Sequence, residues 1–412
     1  MIFVLSRRRV QRTVTRYHHP MVTSRWIATA ALPCLLLAPT AGTGPEIHGF
    51  GGTPVTAERI DQEAARLVAA AHVNGLAMAV VDEGQVVFAR AWGHRNVAKH
   101  LPLQTDTIMY GASLTKFAFA YMVMQLVDEG KIDLDRSIAN YLAKPLPEYP
   151  FYEALAGDDR WRRLTPRILL SHSSGLANFA FLEPDGKMRL HFDPGTRYAY
   201  SGEGIILLQF VLETGLGLSV GDEMQRRVFD RFGMTRTSMT WRADFAANLA
   251  DGYGIDGGFA AHDARSKPRA AGSMDTTIAD FAAFLAGFSR GDGLSARSRA
   301  EMVRPQMPIT APSQFPTFLA ARSPEMMVVK LSGGLGVVTF DGPHGPAFFK
   351  GGHNDSTGNQ AICVERHRRC VVYLSNDVRA EGIFQRLTEA TLGDPGLPWS
   401  WESYVPYDQP KK

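Results

Sequence analysis

Cysteine is scarce. The 412 residues hold three, Cys34, Cys363 and Cys370. That excludes a disulfide-dense small scaffold and a multi-cysteine metal or cluster site. No His-Glu-x-x-His or other compact zinc spacing occurs, so no metal or cofactor is implied. Repeats and low-complexity segments are absent too, which excludes a solenoid. Basic charge is thin once the first 43 residues are set aside. They contain six arginines and no acidic residue, and removing six charges from a net of +3 leaves the remainder near −3. No basic stripe remains, so nucleic acid is not an expected partner.

What is there is ordinary globular composition, 45% hydrophobic and 21% charged, in a chain long enough for large cores. Residues 26–41 (WIATAALPCLLLAPTA) are apolar and follow Arg25. The run is short of the roughly 20 residues of a membrane span. It reads as the core of a signal peptide, or part of an over-extended leader with Met21 as the true start. The expectation is export to a periplasmic or extracellular space, with membrane contact only if the leader is retained. Cys363 and Cys370 flank Arg366 and His367. If those turn a hairpin, the cysteines face each other, as a disulfide, a reduced buried pair, or with His367 a weak metal site.

Periodicity divides the chain. Residues 57–71 have helical spacing. Residues 76–81 and 85–91 are short apolar runs across Asp82-Glu83-Gly84, a hairpin pattern. Helical patterns follow at 164–170, 205–214 and 277–288. Strand patterns return at 334–340, 347–350, 360–364 and 370–374, and a last helix covers 382–391. The expected fold is α+β: an antiparallel sheet flanked by terminal helices, with an inserted, mainly helical subdomain. The expected domain spans 56–400, its α/β part 56–145 and 275–395, its helical part 146–274, with the site in a cleft between them.

The chain is organised around Gly111-Ala112-Ser113-Leu114-Thr115-Lys116, which opens an apolar run from 117 to 127. One helical turn puts Ser113 and Lys116 on the same face. A run apolar nearly all round is a helix buried in a large protein. A lysine at its mouth is placed for a depressed pKa, which would let it take the serine's proton. Alone, the same pattern is also a serine helix cap followed by a surface lysine.

Two further stretches bear on that choice. Phe192-Asp193-Pro194-Gly195 leads to Tyr198-Ala199-Tyr200-Ser201-Gly202, a turn and a glycine-rich bend that can aim Tyr200 into a cleft. Phe349-Lys350-Gly351-Gly352-His353-Asn354 is a strand end whose missing side chains allow close backbone approach to a ligand. Ser-x-x-Lys, then Tyr-x-x, then Lys-x-Gly in this order resembles the serine β-lactamase and penicillin-binding family. Within it the chain is most similar to class C β-lactamases, carboxylesterases and D-aminopeptidases, over about 56–391. Residues 170–176 and 371–376 also look like the family.

The resemblance implies a serine hydrolase working through a Ser113 acyl-enzyme on an ester, peptide or β-lactam-like small molecule. It implies Lys116 as proton acceptor or as the group that tunes the serine, Tyr200 sharing the base role and returning a proton to the leaving group, and Lys350 keeping the site positive and contacting a substrate carboxylate. It places the oxyanion hole on the backbone N–H groups of Ser113 and His353, and substrate contacts at Gly202, Gly351, Gly352 and Asn354. A tyrosine base near neutrality would need Lys116 and Lys350 beside it to lower its pKa. One position departs from the pattern. The family usually carries asparagine where this chain has Gly202, which supplies no amide and, on sequence alone, leaves room for one. If the geometry of the bend admits the side chain, Gly202→Asn is expected to narrow a preference for esters over cephalosporins. The alternative is a weakly active or inactive peptide- or peptidoglycan-binding protein on the same scaffold. Gly217-Leu218-Ser219-Val220-Gly221 matches a nucleophile elbow, but helical spacing precedes it where a strand is required, so Ser219 reads as a helix start. His172, beside Ser173 and Ser174, reads as loop packing.

Overall fold

The computed structural model of the protein describes residues 46–409. The leader, with Cys34, lies outside them. The hairpin pattern becomes β1 (Gly75–Asp82) and β2 (Gln85–Asn96), followed by the short β3 (Leu101–Pro102). Two short strands that were not expected, β4 (Met307–Pro308) and β5 (Ser332–Gly333), precede those of the late patterns, β6 (Val338–Gly342), β7 (Gly345–Asn354), β8 (Thr357–Val364) and β9 (Arg369–Ser375). They form one antiparallel nine-stranded sheet in the order β4-β5-β6-β7-β8-β9-β1-β2-β3. Strands from both ends of the chain therefore meet at β9 and β1. The expected α+β architecture is the one observed.

Both faces of the sheet are covered. Side chains alternate along a strand, and β1 uses both directions. Ala77, Ala79 and Val81 join one core with α2 (Leu114–Asp128) and α4 (Ile278–Arg290). Leu76, Met78 and Val80 join the other with α1 (Ala57–Ala70) and α5 (Glu381–Thr391). Thr56 caps α1 by accepting the Arg59 N–H, which fixes its start. Between β3 and β4 lie short helical turns and α3 (Gly202–Leu216), capped by Ser201 and ended by Gly217 in the left-handed region.

Several boundaries differ from the expectation: β2, β7, β8 and α3 run longer, and two other differences have a visible cause. The helix expected at 164–170 begins at Pro166, because Pro166 suits only the first turn and Thr165 caps it. The strand expected at 334–340 is broken by a turn at Gly336, whose φ is 76°. A Cβ there would lie 2.8 Å from Lys116 O and inside the Ala120 side chain. The break lets the sheet lie directly against α2. The turn at 366–368 brings Cys363 opposite Cys370, and the two are disulfide-bonded. The reduced pair and the metal alternative fall away, since His367 Nδ1 is bound to Glu83 Oε1 at 2.7 Å.

Candidate active site

α2 is buried on all sides, with Phe117 packed edge-on against Phe284, Phe288 and Phe348 at 5.0, 4.8 and 5.8 Å. Its entrance is therefore rigid. Ser113 occupies the cap position, yet its side chain makes no capping bond. Ala112 before it has φ 45°, a left-handed conformation that turns the chain sharply into the helix. Ser113 Oγ stands 2.9 Å from Lys116 Nζ, and Nζ also donates to Ala271 O at 2.6 Å. Lys116 is 1% exposed. The surface-lysine alternative is thus excluded. Burial, then the positive charges of Lys350 and Arg269, holds its amine well below the ordinary lysine range.

Tyr200 reaches the same point from the bend before α3. Lys116 Nζ and Lys350 Nζ lie 5.0 and 5.2 Å from its ring centre. Burial pushes its phenol up, the neighbouring Ser113 hydroxyl opposes this only in part, and the Glu402 carboxylate adds to the rise. That is the opposite direction from the one expected of a tyrosine base, because desolvation of the phenolate is the largest effect on it. His172 props the ring, at 4.4 Å between centroids. Its Nδ1 accepts the Ser201 N–H at 3.1 Å, and burial with the two lysines keeps the imidazole neutral. The packing role read for His172 holds, and its target is Tyr200.

Lys350 comes from β7. Burial pushes its ammonium down to about 8, against the favourable charge of Glu402, and Nζ donates to Gly351 O at 2.7 Å. Gly351 and Gly352 bring the strand in close, though chiefly against protein. A Cβ on Gly352 would lie 2.7 Å from Gly111 O, and one on Gly351 would strike Glu402 Oε1. Among the described residues no acceptor is paired with the Ser113 N–H, and the backbone of His353 follows Gly352 along the same strand. The His353 ring turns away to Glu381, at 2.6 Å, which raises its pKa. Asn354 lines the cavity edge, with Oδ1 accepting the Ser356 N–H at 3.0 Å.

Gly202 corrects the sequence reading. The space beside it is filled, not free. A Cβ would lie 2.7 Å from Phe179 Cε1 and 2.9 Å from Asn178 O. Its N–H donates to Asn178 Oδ1 at 3.0 Å, and Glu203 Oε1 accepts the Ala180 N–H at 2.9 Å. Loop 178–182 is thereby clamped to the start of α3. It carries into the cavity a carboxamide, Asn178, and stacked rings, Phe179 and Phe181, at 5.2 Å. Ser219 heads the short helix Val220–Met224 after α3, with no strand before it.

These groups share one cavity of about 650 Å³ that holds Ser113, Lys116, Tyr200 and Lys350 together. The match to known sequences agrees with that grouping: residues 60–392 match the family described as Beta-lactamase. The chain belongs to the β-lactamase family. Among its relatives, the lovastatin esterase of Penicillium rubens is 27% identical over 270 residues, 55% of this chain and 67% of that one. A D-aminopeptidase of Gluconobacter oxydans is 25% identical over 192 residues, 45% of this chain but only 36% of that one. The octameric penicillin-binding protein homologue from Pyrococcus abyssi superposes with a TM-score of 0.63 at 20% identity, covering 78% of this chain and 74% of that one, a likeness of fold.

Several lining residues of this β-lactamase-family cavity were not singled out from the sequence. Glu402 and Tyr404 arrive on the C-terminal tail, and Arg265 and Arg269 on the segment before α4. Arg265 is engaged, bound to the buried Asp275 and stacked over Tyr110 at 4.1 Å. The exposed Arg269 guanidinium makes no hydrogen bond among the described residues. The adjacent buried tryptophans, Trp399 and Trp401, were the one sequence signal that the tail is anchored.

Proposed function

We propose that the protein is a serine hydrolase that acts through a Ser113 acyl-enzyme on an ester or small amide. The observation that carries this is the 2.9 Å approach of Ser113 Oγ to a buried Lys116 amine held below its ordinary pKa. A neutral amine has a lone pair. It takes the Ser113 proton as Oγ attacks the substrate carbonyl, while its own N–H stays on Ala271 O. The tetrahedral oxyanion falls to the N–H groups of Ser113 and His353, worth roughly 3 kcal/mol per donor in comparable hydrolases. Tyr200, protonated because it is buried, hands its proton to the departing atom and recovers one from Lys116. Water then repeats the sequence in reverse to free the acid. Lys350 places its charge beside the Tyr200 ring and, through that charge, helps to hold Lys116 neutral.

Esters are favoured over β-lactams in this reading, because Gly202 brings no amide to the site and Phe179 closes the place of one. The same departure supports the second reading, a peptide-binding protein with little turnover. A fluorophosphonate label separates them. Labelling that is lost in Ser113→Ala and kept in Ser219→Ala, with hydrolysis of p-nitrophenyl butyrate, is the expected result. Binding of peptide without labelling or turnover would establish the second reading. We take the cleft to lie between the sheet part, 56–145 with 275–395, and the helical part, 146–274. Export is part of the proposal. It is supported by the Arg25-led apolar run and by a disulfide, which persists in oxidising compartments. Intact-mass measurement of secreted protein should find residues 1 to about 43 missing, and cytoplasmic product with the whole leader would contradict it.

A further inference from the structure

The cavity wall carries a carboxylate that the acyl-transfer scheme does not use. Trp401, fully buried between Tyr198 and Phe349 at 6.0 and 5.9 Å, anchors the C-terminal tail and delivers Glu402 beside β7. Glu402 Oε2 accepts from Gln360 Nε2. Oε1 lies against the Cα of Gly351, where a side chain would strike it, and has no hydrogen-bond partner among the described residues. Lys350 is the nearby cation, yet its ammonium is hydrogen-bonded to Gly351 O and not to Glu402. The groups facing Glu402 are Lys350 and His353 from β7, Glu381 from α5, Tyr198 and Tyr200 from before α3, and Tyr404 from the tail. His353 is already paired with Glu381.

The charge in the cavity is therefore divided. Arg269 acts on Lys116, Tyr110 and Glu203, whereas Glu402 acts on Lys350, Tyr198, Tyr200 and Tyr404. In the reading above, on which this inference rests, Tyr200 protonates the departing atom. The departing group then stands on the Glu402 side. Phe315, half-exposed and edge-on to Tyr200 at 5.6 Å, gives that side an apolar wall. We infer that Glu402 makes the leaving-group half of the site refuse anions, so that the substrate's departing group is an uncharged or cationic apolar alcohol or amine and carries no carboxylate. An incoming carboxylate meets the Glu402 carboxylate in the cavity wall, beside Lys350, the nearby cation that would otherwise attract it.

The test compares three esters of one acid: phenyl butyrate, 3-(butyryloxy)benzoate and 3-(butyryloxy)phenyltrimethylammonium. Glu402→Gln keeps the shape and the contact to Gln360. Relative to wild type, the variant should raise kcat/KM for the benzoate against the phenyl ester by about tenfold and lower that of the trimethylammonium ester against the phenyl ester. Comparing wild type with variant cancels the intrinsic reactivity of each phenol. Burial pushes the Glu402 carboxyl up to about 7. In the wild type alone, the benzoate-to-phenyl ratio should therefore fall as pH rises through that value, and in the variant it should be flat. A purely structural role for Glu402 moves neither ratio. Unchanged ratios, or a wild-type ratio flat in pH, overturn the inference. NMR titration of phenol and 3-hydroxybenzoate against the same proteins separates the two levels. Weaker benzoate binding that Glu402→Gln relieves, without turnover of any ester, sinks the hydrolase reading and keeps the inference. Turnover with equal binding of both does the reverse.

Discussion

Gly202 shows how far a single residue can be read. Its identity was legible, and so was the absence of an amide. What surrounds it was not, because loop 178–182 folds back from a distant part of the chain. The structure replaces an expected gain with an expected loss. In Gly202→Asn the new Cβ meets a ring at 2.7 Å and a backbone oxygen at 2.9 Å. The ring can rotate, but the carbonyl of Asn178 cannot, since its oxygen accepts the Glu203 N–H at 2.9 Å. Overpacking of this kind costs about 1–3 kcal/mol. Thermal unfolding should show that loss, and kcat/KM for nitrocefin should not rise. Pairing it with Phe179→Ala should recover part of the stability and still leave the backbone clash. Improved nitrocefin turnover in the single variant would show that the pocket yields where the contacts say it is closed. Asn178 is the better target for amide selectivity. Asn178→Ala should lower turnover of small amides more than of esters, read as a ratio of kcat/KM values, because its carboxamide lines the cavity beside Phe179.

The elements were more legible than their surroundings. β1, β2 and β7 to β9 follow short apolar runs bounded by turn residues, and the buried helix α2 follows from apolar residues all round. Ser113, Lys116 and Tyr200 were legible because each sits at or just before the start of a helix; Lys350 was legible from the glycines beside it, though β7 runs on through them to Asn354 where a strand end was expected. The strand break at Gly336 was not, because its cause is the approach of α2. The hairpin β8–β9 offers a separate check. Its disulfide closes a loop with a sequence separation of 7. A loop so short adds about 2.5 kcal/mol by the chain-entropy estimate. The flanking strands are paired in any case, over Gly358 to Val364 with Ser375 to Arg369. Cys363→Ser with Cys370→Ser should therefore lower the unfolding free energy by no more than about 2.5 kcal/mol and leave ester turnover unchanged. Chemical denaturation and steady-state rates measure both. Loss of turnover would mean that the hairpin's rigidity reaches Lys350 through β7.

At the scale of the whole molecule, the site is a meeting of charges from distant parts of the chain. That Lys116 and Lys350 meet was expected from their motifs; that Arg269 and Glu402 join them was not, because separation along the chain hides it. Lys116 from α2, Lys350 from β7, Arg269 from before α4 and Glu402 from the tail line one cavity. Their combined field sets the pH range of activity. Lys116 must be neutral to accept the Ser113 proton. Its pKa is depressed, so the active form is fully present above that lowered value and is lost as pH falls through it. The causes, in order, are burial, Lys350 and Arg269. Removing either cation weakens the depression, so the acid limb of kcat/KM for a neutral ester should move to higher pH in both Lys350→Met and Arg269→Gln. The two shifts differ in their response to salt. Arg269 is exposed, and its influence crosses water that salt screens within about 8 Å at physiological ionic strength. Lys350 acts through the protein interior. Raising ionic strength should therefore shrink the difference between wild type and Arg269→Gln while leaving the Lys350→Met shift in place. Only the position of the limb is read, so a slow variant serves as well as a fast one. A limb that moves to lower pH in either variant would show that Lys116 is not the proton acceptor whose titration limits the reaction.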